Sequence, residues 1–294
     1  MEAKLSPRIG ILFLLVAASC FAANHLSARI AFDHGASVAA AVVVRASATA
    51  LFLFVLMKAQ GIVIAVPRPL RGKAFLAGLL IASQSYCLYS AVALIPPALA
   101  LLVFQTSPML YVLLSWTLGV EKPRLSALPS MLLGLVGLGL ALNLDPTRLD
   151  VRLAEIGAGV AWAFASALSM AAVYYLNANA LKPMDGRLRT FAMVTVTAAV
   201  LLAGGASAGA LALPRDGAGW AGIVLLAGFY CAAVSLLFWV LPKVPSTSTA
   251  ALNFEPIALL ALAFLILGHT VTPLQILGAV LTVAAIVWLG LSKK

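Results

Sequence analysis

Long apolar runs alternate with short polar joints along the whole chain, a pattern that predicts helices crossing a membrane. The runs occupy residues 9–32, 37–57, 74–94, 98–118, 125–144, 154–176, 188–208, 220–241, 246–268 and 273–291. Each is close to the roughly 20 residues with which an α-helix spans the hydrocarbon core. The first run exceeds the apolar core of a signal peptide, about 7–15 residues, and is interpreted as an uncleaved span. The pattern predicts an all-α integral membrane protein with ten transmembrane helices.

Composition supports this fold class and excludes several others. Of the 294 residues, 63% are apolar and 10% are charged, with a mean hydropathy of +1.09. Soluble domains are about 45–50% apolar and about 25% charged. A soluble enzyme, a disordered chain and a small disulfide-bonded module are therefore excluded. The three cysteines lie inside apolar runs, where we expect small core residues rather than disulfide partners.

The distribution of positive charge predicts how the chain is oriented. The net charge is +10, and 14 of the 19 Lys and Arg residues fall on the side that holds both termini, against four on the other side. An excess of basic residues marks the cytoplasmic side of a membrane, so both termini are predicted to be cytoplasmic. Membrane topology thus accounts for the charge, and nucleic acid is not expected as a partner.

Two proline pairs relate the halves of the chain. Pro97 and Pro108 are eleven positions apart, as are Pro245 and Pro256. The positions that then lie opposite each other are Gln105 with Asn253, Ser107 with Glu255 and, in the first span of each half, Asn24 with Ser166. Residues 1–146 and 147–294 are therefore predicted to be five-helix repeats. Because five is odd, the second repeat is inverted in the membrane, which is the architecture of alternating-access transporters.

Several of these features resemble one family of membrane carriers. They are the tight Pro joints that open the fourth and ninth spans, Pro108 and Glu255-Pro256 within those spans, Arg45 in the second span, and the glycine-rich fifth span. The chain is similar to the ten-helix EamA-type carriers of the drug/metabolite transporter superfamily, and among them to the YddG-type aromatic amino-acid exporters. This resemblance implies a bacterial inner-membrane location and a substrate cavity lined by the first, third, fourth, sixth, eighth and ninth spans.

Polar and aromatic side chains within the spans are the candidates for lining that cavity. They are Asn24, Tyr86, Tyr89, Gln105, Trp162, Ser166, Tyr230, Trp239 and Asn253. An unpaired polar group at membrane depth is costly, so each polar member either faces a wet cavity or hydrogen-bonds to another helix. The aromatic members either stack on a substrate or fill helix interfaces and the interfacial belt. His25, next to Asn24, is expected to be a packed histidine at a helix interface.

Two ionisable side chains lie well inside spans, Arg45 in the second and Glu255 in the ninth. A charge near the bilayer centre costs at least about 2.5–3.5 kcal/mol, so both are functional candidates. Three roles are open for Glu255: proton coupling, contact with the amino group of a substrate, or a structural hydrogen bond or ion pair with a partner such as Arg45. Arg45 lies near enough to the outer face to extend its head group to water, and a structural role is expected for it.

The whole pattern predicts a secondary-active or facilitative exporter of small metabolites, with amino acids of aromatic or other apolar side chains as the expected substrates. A drug-like cation, a purine or a nucleotide sugar is the alternative solute, and a membrane enzyme or lipid-handling scaffold is the alternative class. The sequence has no G-x-x-x-x-G-K-[ST] loop, no His-Glu-x-x-His motif and no His/Cys cluster at metal spacing. We therefore expect no ATPase subunit, catalytic residue, metal or cofactor. The expected partners are a small-molecule substrate and the lipid bilayer, and a monomer is expected to suffice.

Overall fold

The computed structural model describes residues 6–120, 128–142, 149–240, 243–244, 251–267 and 272–291, and over these ranges the chain is helical without a strand. The helices are α1 (Pro7–Asp33), α2 (Val38–Ala59), α3 (Arg71–Leu94), α4 (Pro97–Phe104), α5 (Ser107–Thr117), α6 (Leu128–Ala141), α7 (Leu149–Asn179), α8 (Gly186–Ser207), α9 (Gly217–Val240), α10 (Glu255–Leu267) and α11 (Pro273–Leu291). Short 3₁₀ segments precede α3, at Arg68–Leu70, and α10, at residues 251–254.

Seven helical segments of the described chain are long and apolar enough to cross a membrane. They are α1, α2, α3, α4 with α5, α7, α8 and α9. Helices α6, α10 and α11 are also apolar but shorter, and each lies beside residues outside the described ranges. The all-helical membrane fold is confirmed, and all ten predicted runs contain a helix. That all ten cross the membrane stays a prediction.

Prolines and capping side chains set the helix ends at the joints. Helix α3 ends at Leu94 because a residue that precedes a proline is driven out of the α region. Ile95 is accordingly extended, with φ −129° and ψ 163°, and Pro97 opens α4, where its missing N–H is no loss. At the start of α2, Ser37 accepts a hydrogen bond from the N–H of Ala40 (3.2 Å), which is the usual role of an N-cap serine.

The fourth predicted run, expected as one continuous helix, is broken in the middle. Helix α4 ends and α5 begins on either side of a turn at Gln105 and Thr106. Pro108 is the cause, since it has no N–H to bond to the carbonyl four residues earlier. In the second half, α10 begins at Glu255, directly after a 3₁₀ segment. The two helix starts, Ser107 and Glu255, are the residues that lie opposite each other when the halves are aligned.

Contacts between connecting loops determine the direction of four helices. At one end of the bundle, the N–H of Ser37 between α1 and α2 donates to the carbonyl of Ala212 between α8 and α9 (2.9 Å). At the other end, Arg187 Nη1 at the start of α8 donates to Gln60 Oε1 at the end of α2 (2.5 Å). Helix α7 therefore runs opposite to α1, and α8 runs opposite to α2.

The core lies between the two halves of the chain, because helices of one half pack chiefly against helices of the other. Helix α1 packs on α9, α3 on α7, α2 on α8 and α6 on α11. At the α6–α11 crossing the backbones come close, and a Cβ atom on Gly137 would lie 2.8 Å from the carbonyl oxygen of Gly278. Side chains in the middle of these helices therefore meet side chains from the other half of the chain.

Candidate functional site

Polar and aromatic side chains from both halves meet within α1, α2, α3 and α9 and at the start of α10. We call this group the central polar cluster; its members are Asn24, His25, Arg45, Ser85, Tyr89, Tyr230 and Glu255. The ring of Tyr89 joins its two sides, with the His25 ring 5.6 Å away and the Arg45 Cζ atom 5.1 Å away, measured to the ring centroid. The fold thus brings five of the eleven predicted site residues together with two that were not predicted.

Asn24 and Tyr89 connect three helices through one chain of hydrogen bonds. The hydroxyl of Tyr89 donates to Asn24 Oδ1 (2.6 Å), and Asn24 Nδ2 donates to the carbonyl of Leu226 on α9 (2.7 Å). Both side chains are fully buried. Their polar groups are paired with protein, as expected if they hold helices together, and a part in substrate binding stays a prediction for both.

Arg45 is buried, with 7% of its surface exposed, and its guanidinium lies against two tyrosine rings. The Cζ atom is 4.2 Å from the centroid of the Tyr230 ring and 5.1 Å from that of the Tyr89 ring. Nη2 donates to Ser85 Oγ (2.8 Å), whereas Nε is buried without a hydrogen-bond partner. A desolvated cation–π contact contributes about 2 kcal/mol, so the two rings offset part of the cost of burying the charge. One donor stays unsatisfied.

The geometry of Arg45 differs from one expectation and from one of the alternatives left open for Glu255, while its structural role stays a prediction. Its head group does not extend to water, because the Tyr89 and Tyr230 rings cover it. It does not pair with Glu255 either; the carboxylate contacts His25 instead. The physical reason is helix packing, since α10 packs chiefly against α1 and α4 rather than α2.

Glu255 and His25 form the second polar part of the cluster. Glu255 Oε1 lies 3.2 Å from His25 Nε2, and the side chains are 17% and 9% exposed. Nδ1 of His25 is buried without a partner. Glu255 opens α10, where unpaired backbone N–H groups favour a carboxylate. The contact joins α1 to α10. The sequence signal for it was a histidine inside an apolar run, because such a side chain needs a polar partner.

A second group of predicted residues joins α3 to α7. Ser166 Oγ donates to the carbonyl of Gln84 (2.9 Å) and is buried. The rings of Tyr86 and Trp162 pack edge to face, with centroids 6.0 Å apart and an interplanar angle of 77°. These two rings are 38% and 39% exposed. They remain free to contact a solute or lipid, whereas the hydroxyl of Ser166 is already used.

The last three predicted residues lie elsewhere. Trp239, near the end of α9, packs edge-on against Phe13 (5.0 Å between centroids) and lies under Lys243 Nζ (4.0 Å). An exposed tryptophan beside a lysine is typical of the interfacial belt. Gln105 lies in the turn between α4 and α5, and Asn253 lies in the 3₁₀ segment before α10. Both flank the two helix starts, and their roles stay predictions.

Two aspartates outside the spans accept hydrogen bonds at the ends of helices. Asp216 accepts a hydrogen bond from the N–H of Gly219 (2.9 Å), and its Oδ2 lies 2.7 Å from His34 Nδ1. These contacts, the Gly219 N–H first, lower the pKa of Asp216 below its usual range. At the start of α8, the side chain of Arg187 lowers the pKa of Asp185 in the same way. The His34–Asp216 contact connects the α1–α2 turn to the loop before α9.

A lateral groove between α3 and α8 is a further cavity, with a volume of about 390 Å³. Its walls are chiefly apolar, with Ile64, Phe75 and Phe191 among them, and Arg71 is the charged member. Phe75 precedes Ser85 by about three helical turns, so the groove lies away from the central polar cluster. Among the residues that the structure describes, no three His, Cys, Asp or Glu side chains are grouped to hold a metal ion.

Comparison with known proteins agrees with this arrangement. The sequence profile of the EamA-like transporter family matches residues 8–143 and again residues 157–291. A search of curated proteins found no match. Among 20 matching chains of solved structures, one crystal structure of a protein is 19% identical, covers 97% of this chain and 96% of its own length, and has a TM-score of 0.60, which shows a shared fold. Because the profile covers nearly the whole length, the chain belongs to the EamA-like transporter family of the drug/metabolite transporter superfamily, a family of multi-pass membrane transporters.

Proposed function

We propose that this transporter exports small metabolites, namely amino acids with aromatic or other apolar side chains, by alternating access between two inverted five-helix halves, residues 1–146 and 147–294. The central polar cluster carries the proposal, because it gathers a buried cation, Arg45, a carboxylate, Glu255, and tyrosine rings between the halves. An amino acid carries a carboxylate, an ammonium group and a side chain. These three parts match the three kinds of group in the cluster.

Two reciprocal hydrogen bonds support the inverted-repeat architecture. Asn24, in the first helix of the first half, donates to the carbonyl of Leu226 in α9. Ser166, its aligned counterpart in α7, donates to the carbonyl of Gln84 in α3. Helices α3 and α9 are the third spans of their halves, so exchanging the halves maps one bond onto the other. The opposed directions of α1 and α7 agree with an inversion, which allows a central site to face either side in turn.

Helix starts beside the cluster supply further polar groups. Helix α10 begins at Glu255, and α5 begins at the aligned position Ser107. At α5 the N–H groups of Met109 and Leu110 already donate to the carbonyl of Thr106 (2.9 and 3.0 Å), so the hydroxyl of Ser107 is the polar group of that start. Transporters with inverted repeats bind substrate at helix discontinuities. The substrate site of the proposal therefore extends from the central polar cluster toward these two helix starts.

Glu255 is the coupling residue of the proposal. Its contact with His25 ties α1 to α10. A proton on the carboxylate removes the negative charge on which that contact depends, and a substrate ammonium group competes with His25 for the same oxygens. Either event favours a state in which α10 is released from α1, and a ligand or proton shifts a conformational equilibrium only through such a difference between states.

Orientation, location and assembly complete the proposal. Both termini lie in the cytoplasm, the membrane is the bacterial inner membrane, and the monomer is sufficient for transport. The orientation is supported by the end of α2, the start of α3 and the connection between them, which together hold Lys58, Arg68, Arg71 and Lys73. Arg187, at the start of α8, meets the end of α2 on this basic side. Basic loops are retained on the cytoplasmic face.

Counterflow into proteoliposomes tests the substrate class. Vesicles loaded with unlabelled phenylalanine are given labelled phenylalanine or leucine, and saturable uptake that aromatic amino acids compete is expected. A quaternary ammonium cation, a purine and a nucleotide sugar are tested in parallel. Uptake of one of these solutes but of no amino acid, by folded protein, contradicts the proposed substrate class. Absence of all uptake together with turnover of a lipid contradicts the transport function itself.

The Glu255→Gln variant tests the coupling role under an imposed pH gradient. It is expected to retain counterflow, because the amide oxygen still accepts a hydrogen bond from a substrate ammonium group. It is expected to lose gradient-driven accumulation, because the amide cannot take up or release the coupling proton. Asp33→Asn is the matched control, since Asp33 is an exposed carboxylate at the end of α1 that pairs with Arg29. Accumulation that survives in Glu255→Gln assigns the carboxylate a structural role.

A further inference from the structure

Arg45 has more hydrogen-bond donors than its surroundings use. A guanidinium carries five N–H donors in a planar fork. Nη2 donates to Ser85 Oγ (2.8 Å), and the buried Nε has no partner. In the part of the chain that the structure describes, no carboxylate forms an ion pair with Arg45. The Tyr89 and Tyr230 rings contact the charge but do not replace the missing acceptor.

The ligand chemistry that fits this surplus is a carboxylate. Its two oxygens match the guanidinium fork, and such bidentate, charge-assisted pairs are strong and geometrically specific. The acceptors nearby are already engaged: Asn24 Oδ1 accepts from the Tyr89 hydroxyl (2.6 Å), and Glu255 contacts His25 (3.2 Å). An acceptor from outside the protein would complete the arrangement.

We propose that Arg45 binds the carboxylate of the transported solute. This inference rests on the transport function proposed above and names the group by which the solute is recognised. Tyr89 and Tyr230 belong to different halves of the chain, so movement of one half against the other changes how far their rings cover the guanidinium. Access of the carboxylate to Arg45 is thereby linked to alternation.

Thermal unfolding of the purified full chain in detergent tests the site without requiring transport. The probes are 3-phenylpropionate, which has only the carboxylate, and phenethylamine, which has only the ammonium group. A ligand that binds the folded state raises Tm with its concentration, which gives an apparent Kd for each probe. Arg45→Gln is expected to raise the apparent Kd of 3-phenylpropionate about tenfold or more, as for loss of a hydrogen-bonded charge, and to change that of phenethylamine far less.

Two variants control for charge and for folding. Arg29→Gln is the matched substitution, because the guanidinium of Arg29 is already used: Nη1 donates to the carbonyl of Val92 (3.1 Å), and Nε pairs with Asp33 (3.0 Å). It is expected to bind 3-phenylpropionate as the parent does. Arg45→Lys keeps the charge without the fork. It is expected to weaken 3-phenylpropionate binding selectively, and it carries the test if the glutamine variant does not fold.

Three results would overturn the carboxylate site. In the first, 3-phenylpropionate does not raise the Tm of the parent protein. In the second, neither Arg45 variant changes the apparent Kd of 3-phenylpropionate. In the third, the Arg45 variants weaken the binding of 3-phenylpropionate and of phenethylamine equally. Phenylalanine counterflow separates these results from the proposed function. Transport with carboxylate binding that is independent of Arg45 leaves the function standing and removes the site. If Arg45 binds the carboxylate but the protein transports no amino acid, the site stands and the proposed function falls.

Discussion

Replacing Gly137 by alanine is expected to destabilise the protein by forcing α6 and α11 apart. A Cβ atom at this position would lie 2.7 Å from the backbone nitrogen of Thr282 and 2.8 Å from the carbonyl oxygen of Gly278. Ordinary van der Waals contact begins at 3.4 Å, so the two helices must separate by about 0.7 Å. The obstructing atoms belong largely to the backbone, and a change of side-chain rotamer cannot relieve the clash.

The magnitude follows from two opposing effects. Overpacking a close contact costs about 1–3 kcal/mol, whereas alanine in place of glycine inside a helix gains up to about 1 kcal/mol from helix propensity. Gly139→Ala is the matched control, since nothing lies within 4 Å of the Cβ position at Gly139 and the variant has the propensity effect alone. The difference between the two variants, about 1–3 kcal/mol, therefore isolates the crossing, which in lipid depends on close packing.

Thermal unfolding in detergent measures that difference. At roughly 2–4 °C per kcal/mol, Gly137→Ala is expected to unfold about 2–12 °C below Gly139→Ala. Gly278→Ala approaches the same crossing from α11, where its Cβ atom would meet the backbone of Ala141. The loss of stability in Gly278→Ala should not add to that in Gly137→Ala when the two are combined, because either change opens the same contact. Equal Tm values for the Gly137→Ala and Gly139→Ala variants would refute the close crossing.

Two further predictions concern single polar contacts. Tyr89→Phe removes the donor to Asn24 Oδ1 and leaves a buried oxygen unsatisfied, so the free energy of unfolding is expected to fall by about 1–3 kcal/mol, measured by thermal unfolding. Tyr86→Phe is the control: Tyr86 is 38% exposed, so this variant should lose far less stability. Equal losses in the two variants would count against the buried Tyr89–Asn24 hydrogen bond. Asp216 has a lowered pKa because it accepts from the Gly219 N–H, so its stabilising contribution is present above the usual aspartate pKa of about 3.9 and is lost as the pH falls through the lower folded value. The Tm gap between the parent and Asp216→Asn should therefore be larger at pH 7 than at acidic pH, and a gap independent of pH would contradict this assignment.

The helix positions follow closely from the apolar pattern. Runs predicted at residues 9–32 and 37–57 became α1 (Pro7–Asp33) and α2 (Val38–Ala59). In lipid, every backbone polar group must be satisfied inside the segment itself, so a long apolar run has one stable local solution. The break between α4 and α5 was not predicted, although Pro108 was visible. A proline in a membrane helix produces a kink or a break according to how neighbouring helices satisfy the freed groups, and those neighbours are distant in sequence.

The candidate site was predicted only in part, because contacts between residues distant in sequence cannot be read from a single apolar run. Arg45 and Glu255 stand out in the sequence because ionisable residues are rare inside apolar runs. Their partners did not follow, since the contacts of Glu255 with His25 and of Arg45 with Tyr230 join helices far apart along the chain. Trp239 was selected as an aromatic residue within a run, and the structure adds that its ring lies beside Lys243, a pairing typical of the interfacial belt.

Sequence alone was sufficient for the membrane class, the helix positions and the choice of the residues that are expensive at membrane depth. The packed fold was needed to choose among contacts: His25 rather than Arg45 for Glu255, and Gly137 rather than Gly139 at the α6–α11 crossing. The physical reason is that hydrogen bonding within four residues specifies a helix in lipid, whereas the face that it presents to a partner depends on packing between segments that can lie more than two hundred residues apart, as with His25 and Glu255.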